Sequence, residues 1–538
     1  MPRPPVIALL AIVCLAAWIR LHDLDGGTFG HIESYTPGIV YPVGISDPPT
    51  RDHQWHNFVW AINDVHGPFW YLWMLPYVDA AGTSLTALRL PSAVLAIVSV
   101  LLAYLVALRV GGTWTAPLAA ALLTLSGHHV YWSRQARFYS SACFLALLST
   151  WFLLRVMEGK GRWSLAGYLA STLAGLATLY YYWPVALVQL VWVIAMEARR
   201  SPRMAAWQLW LFTLATPILT MAIFQARPGP YLAREDWKFL SGYFTFGYQL
   251  TPTTDSGSGL MWQTSFVWVL GPVALICCGF AVAALLRAPQ QRSGCEAAPP
   301  PLWLFAATVV ATTAGILYAG ELAGDLFPHK IPLLRVSALF PVVGLAAYLV
   351  LRKLGPLLPE IPRVQSPLTL VAWLAFATAL MIAVVGQAVD FYAPRAMLCF
   401  TPFLLVWLAR GVVAMGRTGL AVAALLLVVS YGSVKTALAD PGAVDYAGVA
   451  RQWTPLIEEG DRIFIVPHWS TTPEFYYLQD HYAQLVGQDW LASDAQRVWA
   501  ILVPGAPRPA DFVEALEARE RVRTLSGMNL EVALFERK

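Results

Sequence analysis

The stretch RLPSAVLAIVSVLLAYLVALR, residues 89–109, decides the fold. No residue between its terminal arginines is charged, and it has about the 20-residue length that a helix needs to cross a bilayer. Comparable apolar runs recur near residues 5–21, 115–130, 138–157, 165–181, 184–198, 206–224, 262–286, 302–320, 331–351, 367–388, 394–415 and 418–436. With the run at 87–108 they make thirteen candidate spans. Whether YYYWP, residues 180–184, is a loop between two spans or a kink inside one stays open.

Composition agrees. Of 538 residues 57% are hydrophobic and 13% charged, with 23 tryptophans, and the mean hydropathy is +0.55. A soluble domain does not carry this balance, so the chain is expected to be a polytopic α-helical membrane protein. A net charge of +4 spread through loops gives no footprint for nucleic acid. The cysteines Cys14, Cys143, Cys277, Cys278, Cys295 and Cys399 lie mostly in apolar runs and show neither metal-ligand spacing nor a paired framework. Residues 5–19 resemble a signal peptide but lack a small-x-small cleavage site, and are expected to be an uncleaved first span.

Basic residues in short loops set orientation. With the N-terminus inside, the inner connections hold Arg109; Arg155, Lys160 and Arg162; Arg199, Arg200 and Arg203; Arg287 and Arg292; Arg352, Lys353 and Arg363; and Arg410 and Arg417. The outer segment 22–86 is acidic instead, with Asp23, Asp25, Glu33, Asp47, Asp52, Asp64 and Asp79 against Arg51. After Leu438 the composition turns soluble. DRIFIVP (461–467) and RVWAILVP (497–504) read as buried strands, DFVEALEARERVRT as an amphipathic helix and LEVALFERK as a closing strand. The expected division is a membrane domain, 1–438, and an outer α/β domain, 439–538, with no glycine-rich phosphate loop.

The outer face carries the chemistry. Arg134 and Arg137 lie three residues apart in HHVYWSRQARFYS, a spacing that on a helix lets both reach one phosphate; beside Tyr131, Trp132 and Tyr139 they could equally snorkel to the interface. Further outward cations are Arg227, Arg234, Lys238, Lys330, Arg335 and Arg395, and several converging cations suit an anionic, membrane-borne ligand. Glu33, in GGTFGHIESYTPG just past the first span, is placed to act as a general base, or else is a solvated loop charge. The segment 50–78 mixes aromatic and polar residues as interfacial helices do. Within it Asp52, His53 and His56 have spacing a metal could use, or form the wet face of such a helix, so a divalent metal stays open.

Taken in order, HIESY (31–35), HGPFWYLW (66–73), RLPS (89–92), SRQARFY (133–139) and YAPRAMLCFTPFLL (392–405) resemble the GT-C membrane glycosyltransferases. The likeness is to the bacterial branch related to dolichyl-phosphate-mannose protein mannosyltransferases and aminoarabinose transferases. It extends to the tail, where DY (445–446) and GDRIFIV (460–466) are similar to that branch. The resemblance implies a GT-C fold and inverting transfer of a sugar from a polyprenyl-phosphate donor to a hydroxyl of a lipid, glycan or protein, on the outer face of the bacterial inner membrane. It implies Glu33 as base and Arg134, Arg137 and Arg395 as phosphate-binding residues, with His66, Tyr139 and Lys330 as candidate substrate contacts. Relatives usually carry Asp-Glu where this chain has Ile32 before Glu33, so Asp47 and Asp52 stand as reserves. Other readings are a transporter or flippase of lipid-linked saccharides and a surface-polysaccharide polymerase or ligase. Charges at the outer edge, rather than the midplane, and the lack of paired repeats favour an enzyme over a transporter.

Overall fold

The computed structural model describes residues 6–27, 33, 36, 67–197, 203–225, 266–288, 298–324, 331–354, 366–386, 394–439, 446–465, 476–486, 490–502, 508–527 and 530–538. The membrane part is a helical bundle. It runs α1 (Val6–Leu21), α2 (Pro68–Ala81), α3 (Leu85–Gly111), α4 (Thr115–Thr124), α5 (Gly127–Ser133), α6 (Tyr139–Met157), α7 (Arg162–Thr178), α8 (Tyr182–Glu197) and α9 (Arg203–Leu214). It continues through α10 (Thr216–Gln225), α11 (Phe266–Leu286), α12 (Leu302–Gly324), α13 (Ile331–Ser337), α14 (Phe340–Leu354) and α15 (Pro367–Gly386), then a 3-10 turn (Pro394–Cys399), α16 (Thr401–Ala414) and α17 (Arg417–Ala439).

Every apolar run expected to span carries helix, and five described helices are long and apolar enough to cross a membrane by length and composition. Four of the runs are divided. The residue second or third in the new helix is Pro117 in α4, Pro217 in α10, Pro341 in α14 and Pro402 in α16. Proline lacks an amide donor and fits the first turn of a helix but not its interior, so it marks restarts at α10, α14 and α16. The run 115–130 breaks instead at Leu125 and Ser126, where the Ser126 hydroxyl accepts from the His129 amide (3.3 Å) and caps α5. YYYWP is a true break, because Leu179 is extended (φ −151, ψ 129) between α7 and α8.

The long α3 packs against α1, α4 and α6, and α16 lies among α4, α11 and α15. Both ends of α3 are built locally: the Ser84 hydroxyl accepts from the Ala87 amide (3.2 Å), and Gly112 closes the helix with φ 85. Gly67, before α2, permits a close approach: a Cβ there would sit 2.1 Å from the Ala177 carbonyl of α7.

The tail forms α18 (Tyr446–Trp453), β1 (Arg462–Phe464), β2 (Leu485–Val486), β3 (Arg497–Leu502), α19 (Ala510–Glu517), β4 (Arg519–Gly527) and β5 (Leu530–Arg537). Its sheet has the order β2-β1-β3-β5-β4, with β1 parallel to β2 and β3, and β5 antiparallel to β3 and β4. Alternation along β3 sends Trp499 and Ile501 into the core shared with Trp453, and Val498 and Ala500 into the core shared with Phe512. One expectation is corrected. The stretch 511–524 is not a single helix: α19 ends at Glu517 and RERVRT continues as an edge strand. Its alternating charges suit an edge, and pairing with β5, rather than local propensity, selects the strand.

Candidate active site

Three chain segments meet at the start of α3. Arg89 and Ser92 are three residues apart in α3 and so share a face. The Glu33 carboxylate meets the first of them. Its Oε1 accepts from Arg89 Nε (2.9 Å) and from the Ala136 amide (2.7 Å), and its Oε2 accepts from Arg89 Nη2 (2.8 Å). Arg89 Nη1 donates to the carbonyls of Leu24 (3.1 Å) and Gly26 (2.9 Å), tying the chain after α1 to the same point. Ser92 donates to the Arg137 carbonyl (2.8 Å), and the Thr36 hydroxyl donates to the Ala136 carbonyl. The ion pair is wholly buried, with side-chain exposures of 4% for Arg89 and 0% for Glu33. Glu33 is therefore not a solvated loop charge. Breaking such a pair from one side costs about 3–5 kcal/mol, because the remaining charge is left uncompensated.

Arg134 and Arg137 do not share a helix face. The chain between α5 and α6 is a turn, and it sends the two guanidinium groups different ways. Arg134 donates to the carbonyls of Ile19 (3.2 Å), Arg20 (3.4 Å), His22 (2.7 Å) and Asp23 (2.5 Å), in the last turn of α1 and just past it. Arg137, 1% exposed, donates to the Tyr71 hydroxyl (3.4 Å) and lies over the Phe138 ring (4.6 Å). Tyr139 is buried in the first turn of α6 with its ring edge-on to Trp132 (5.1 Å). The 3-10 turn that carries Arg395 packs on α5 and α6 at this end of the bundle. Asp47, Asp52, His53, His56, His66 and Lys330 lie outside the described residues. Among the described residues no group of three His, Cys, Asp or Glu could hold a metal.

A second buried cation fixes the neighbouring helices. Arg20 of α1 donates to the Leu123 carbonyl (3.2 Å) and to His129 Nδ1 (2.8 Å). Arginine only donates, so His129 accepts at Nδ1 and its proton lies on Nε2, which faces Cys143 Sγ at 3.7 Å.

Beside the junction an apolar groove of about 510 Å³ runs between α2, α3 and α6. Phe69, Trp73 and Tyr77 form one wall, Leu90 and Val94 the next, and Ser141, Phe144 and Leu145 the third. Its α3 wall begins at Leu90 and Pro91, directly after Arg89. The tail reaches the same end of the bundle. Tyr476 donates to the Thr83 carbonyl (3.0 Å) in the α2–α3 turn, and Tyr477 packs against both the bundle core and the tail core. Burial first, then the opposing influences of Arg89 (lowering) and Glu33 (raising), leaves the Tyr476 hydroxyl pushed up to about 12, so it stays a donor at neutral pH.

Arg89 stands out in the sequence only within RLPS, and neither Tyr476 nor Tyr477 is among the candidate residues there. The available signal for Arg89 was an arginine heading an otherwise uncharged span. The tyrosines give no local signal at all.

Residues 66–224 match the dolichyl-phosphate-mannose-protein mannosyltransferase family. The match covers α2 to α10 and so includes Arg89, Arg134, Arg137 and the groove. Among curated proteins none matches. Of solved structures, the Archaeoglobus fulgidus oligosaccharyltransferase in complex with Zn and sulfate is 13% identical with a TM-score of 0.42, over 92% of this chain and 67% of its own. Archaeal AglB from the same organism, in complex with an inhibitory peptide and a dolichol-phosphate, is 11% identical with a TM-score of 0.43, over 98% and 74%. ArnT from Cupriavidus metallidurans bound to undecaprenyl phosphate is 14% identical with a TM-score of 0.42, over 98% and 97%.

Proposed function

We propose that the chain is a membrane glycosyltransferase of the GT-C superfamily and transfers a sugar with inversion from a polyprenyl-phosphate donor to a hydroxyl acceptor, a reading that the family match over residues 66–224 supports. Transfer takes place at the face that holds Glu33, the outer face of a bacterial inner membrane, where the tail also lies. The acceptor is a lipid, glycan or protein. One observation carries the reading: a buried carboxylate, a buried arginine and an apolar groove of about 510 Å³ meet at one end of the bundle.

The groove takes the isoprenoid tail. Arg137, with Arg395, neutralises the phosphate, whose charge grows as the bond from the anomeric carbon to the phosphate oxygen breaks. The acceptor oxygen bonds to that carbon from the opposite side and gives its proton to Glu33, with Asp47 and Asp52 as alternatives. Arg89 and the Ala136 amide hold the carboxylate in one orientation. Arg134 caps α1, so the phosphate role expected of it passes to Arg137.

Purified protein incubated with a panel of polyprenyl-phosphate sugars and acceptor extracts is expected to consume one donor and form a glycosylated product, read by mass spectrometry. No transfer from any donor, together with movement of lipid-linked saccharide across vesicles, would replace this reading with the transporter. Glu33→Gln is expected to lower transfer by roughly 10²- to 10⁴-fold.

A further inference from the structure

A second cavity, about 420 Å³, lies at the other end of the bundle. It opens between the last turn of α3 at Val110, the end of α11 at Phe280, Ala284 and Arg287, the start of α15 at Leu368 and the end of α16 at Arg410. Arg89 and Val110 stand on one continuous helix, α3. Their 21-residue separation amounts to about 32 Å at the helical rise, close to the roughly 30 Å of bilayer hydrocarbon. The cavity is thus at the opposite membrane face from Glu33.

Its chemistry is mixed in a particular way. The walls are apolar, two arginines stand among them, and no acidic side chain lines it among the described residues. At this end of α3 Glu158 is engaged by Arg109 at 3.6 Å. Arg410 is half-buried and Arg287 exposed, so one cation is set into the wall and the other stands at the mouth. The amino end of the 20-residue α15 adds partial positive charge beside Leu368. An occupant must bring both negative charge and hydrocarbon.

We propose that this cavity binds one anionic phospholipid of the leaflet opposite the reaction. Arg287 and Arg410 hold its phosphate, and an acyl chain lies along Phe280 and Leu368. The inference is independent of the donor reaction, since it uses no residue of the Glu33 junction.

Native mass spectrometry of the full chain tests it, with the protein released from micelles containing phosphatidylglycerol or phosphatidylcholine of the same acyl chains. One phosphatidylglycerol should stay bound per chain, phosphatidylcholine should not, and millimolar inorganic phosphate should fail to displace the lipid. Retention should fall about tenfold or more in Arg287→Gln/Arg410→Gln, the scale of losing charge-assisted contacts. The single Arg287→Gln variant changes an exposed side chain and should fall several-fold by itself. Equal retention of the two lipids, or equal retention by wild type and both variants, would overturn the proposal. Displacement by phosphate alone would reassign the cavity to a free anion.

Discussion

Two buried polar regions inside the same apolar bundle are built on opposite plans. The junction at the start of α3 uses full charges: Glu33, Arg89 and Arg137, drawn from a loop, a helix and a turn. The other region, among α6, α7, α8 and α9, uses none. There Tyr182 donates to Ser149 (2.7 Å), Gln189 donates to Ser149 (3.2 Å) and Thr150 (3.0 Å), Tyr168 donates to Gln189 (3.1 Å), and Gln208 donates to Tyr168 (2.6 Å). Neutral groups hydrogen-bonded across helices contribute roughly 0.6–2 kcal/mol each and cost little to bury. Ions in the same surroundings carry a desolvation penalty of several kcal/mol apiece. Arg20 shows that a full charge is also buried here to fix helices, so it is the apolar groove beside the charged junction, and not charge alone, that supports the proposed ligand site there.

The largest test of this contrast is Arg89→Met. It should lose about 3–5 kcal/mol of stability by stranding Glu33, together with transfer activity. Glu33→Gln/Arg89→Met removes both charges and should recover most of the stability, measured by thermal unfolding, while transfer stays lost. If activity returned with stability, the ion pair would be adhesive like the neutral network, and the base would move to Asp47 or Asp52.

Arg137→Gln comes next. Losing one charge-assisted contact of about 1.5–3 kcal/mol should weaken donor binding by roughly 10- to 150-fold, measured by titration with the donor lipid. Arg134→Ala provides its counterpart: about 1–2 kcal/mol less stability from the uncapped α1, with donor affinity held. Equal losses of donor affinity in the two variants would restore the shared phosphate role that their spacing suggested.

Within the neutral region, Gln189→Leu should cost about 1–2 kcal/mol in stability and leave donor affinity and turnover per folded molecule unchanged. A fall in turnover beyond the folded fraction would mean that the neutral network also takes part in the reaction. The smallest effect is expected of Tyr476→Phe, which removes one hydrogen bond to the α2–α3 turn, about 1 kcal/mol.

The division between what was legible and what was not follows from the range of the forces involved. The amino-acid sequence by itself determined that the apolar runs are helical and that the chain closes on a strand; the helix restarts at Pro217, Pro341 and Pro402, where single spans were expected, appear only in the structure although their cause is local. These depend on hydrocarbon length, periodicity and a missing amide, all of which are properties of neighbouring residues. It also singled out Glu33, Arg134 and Arg137 as unusual charges, the two arginines as a pair on one face. Only the tertiary structure decided their partners. Arg89 closes on Glu33 from 56 residues away, Arg134 turns to carbonyls more than 110 residues back, and Tyr476 reaches Thr83 across 393 residues. The strand at 519–527 likewise exists because β5 lies beside it. A charge announces itself in one dimension, but the group that neutralises it is chosen by which backbones approach within hydrogen-bonding distance, and that is settled only when the bundle has packed.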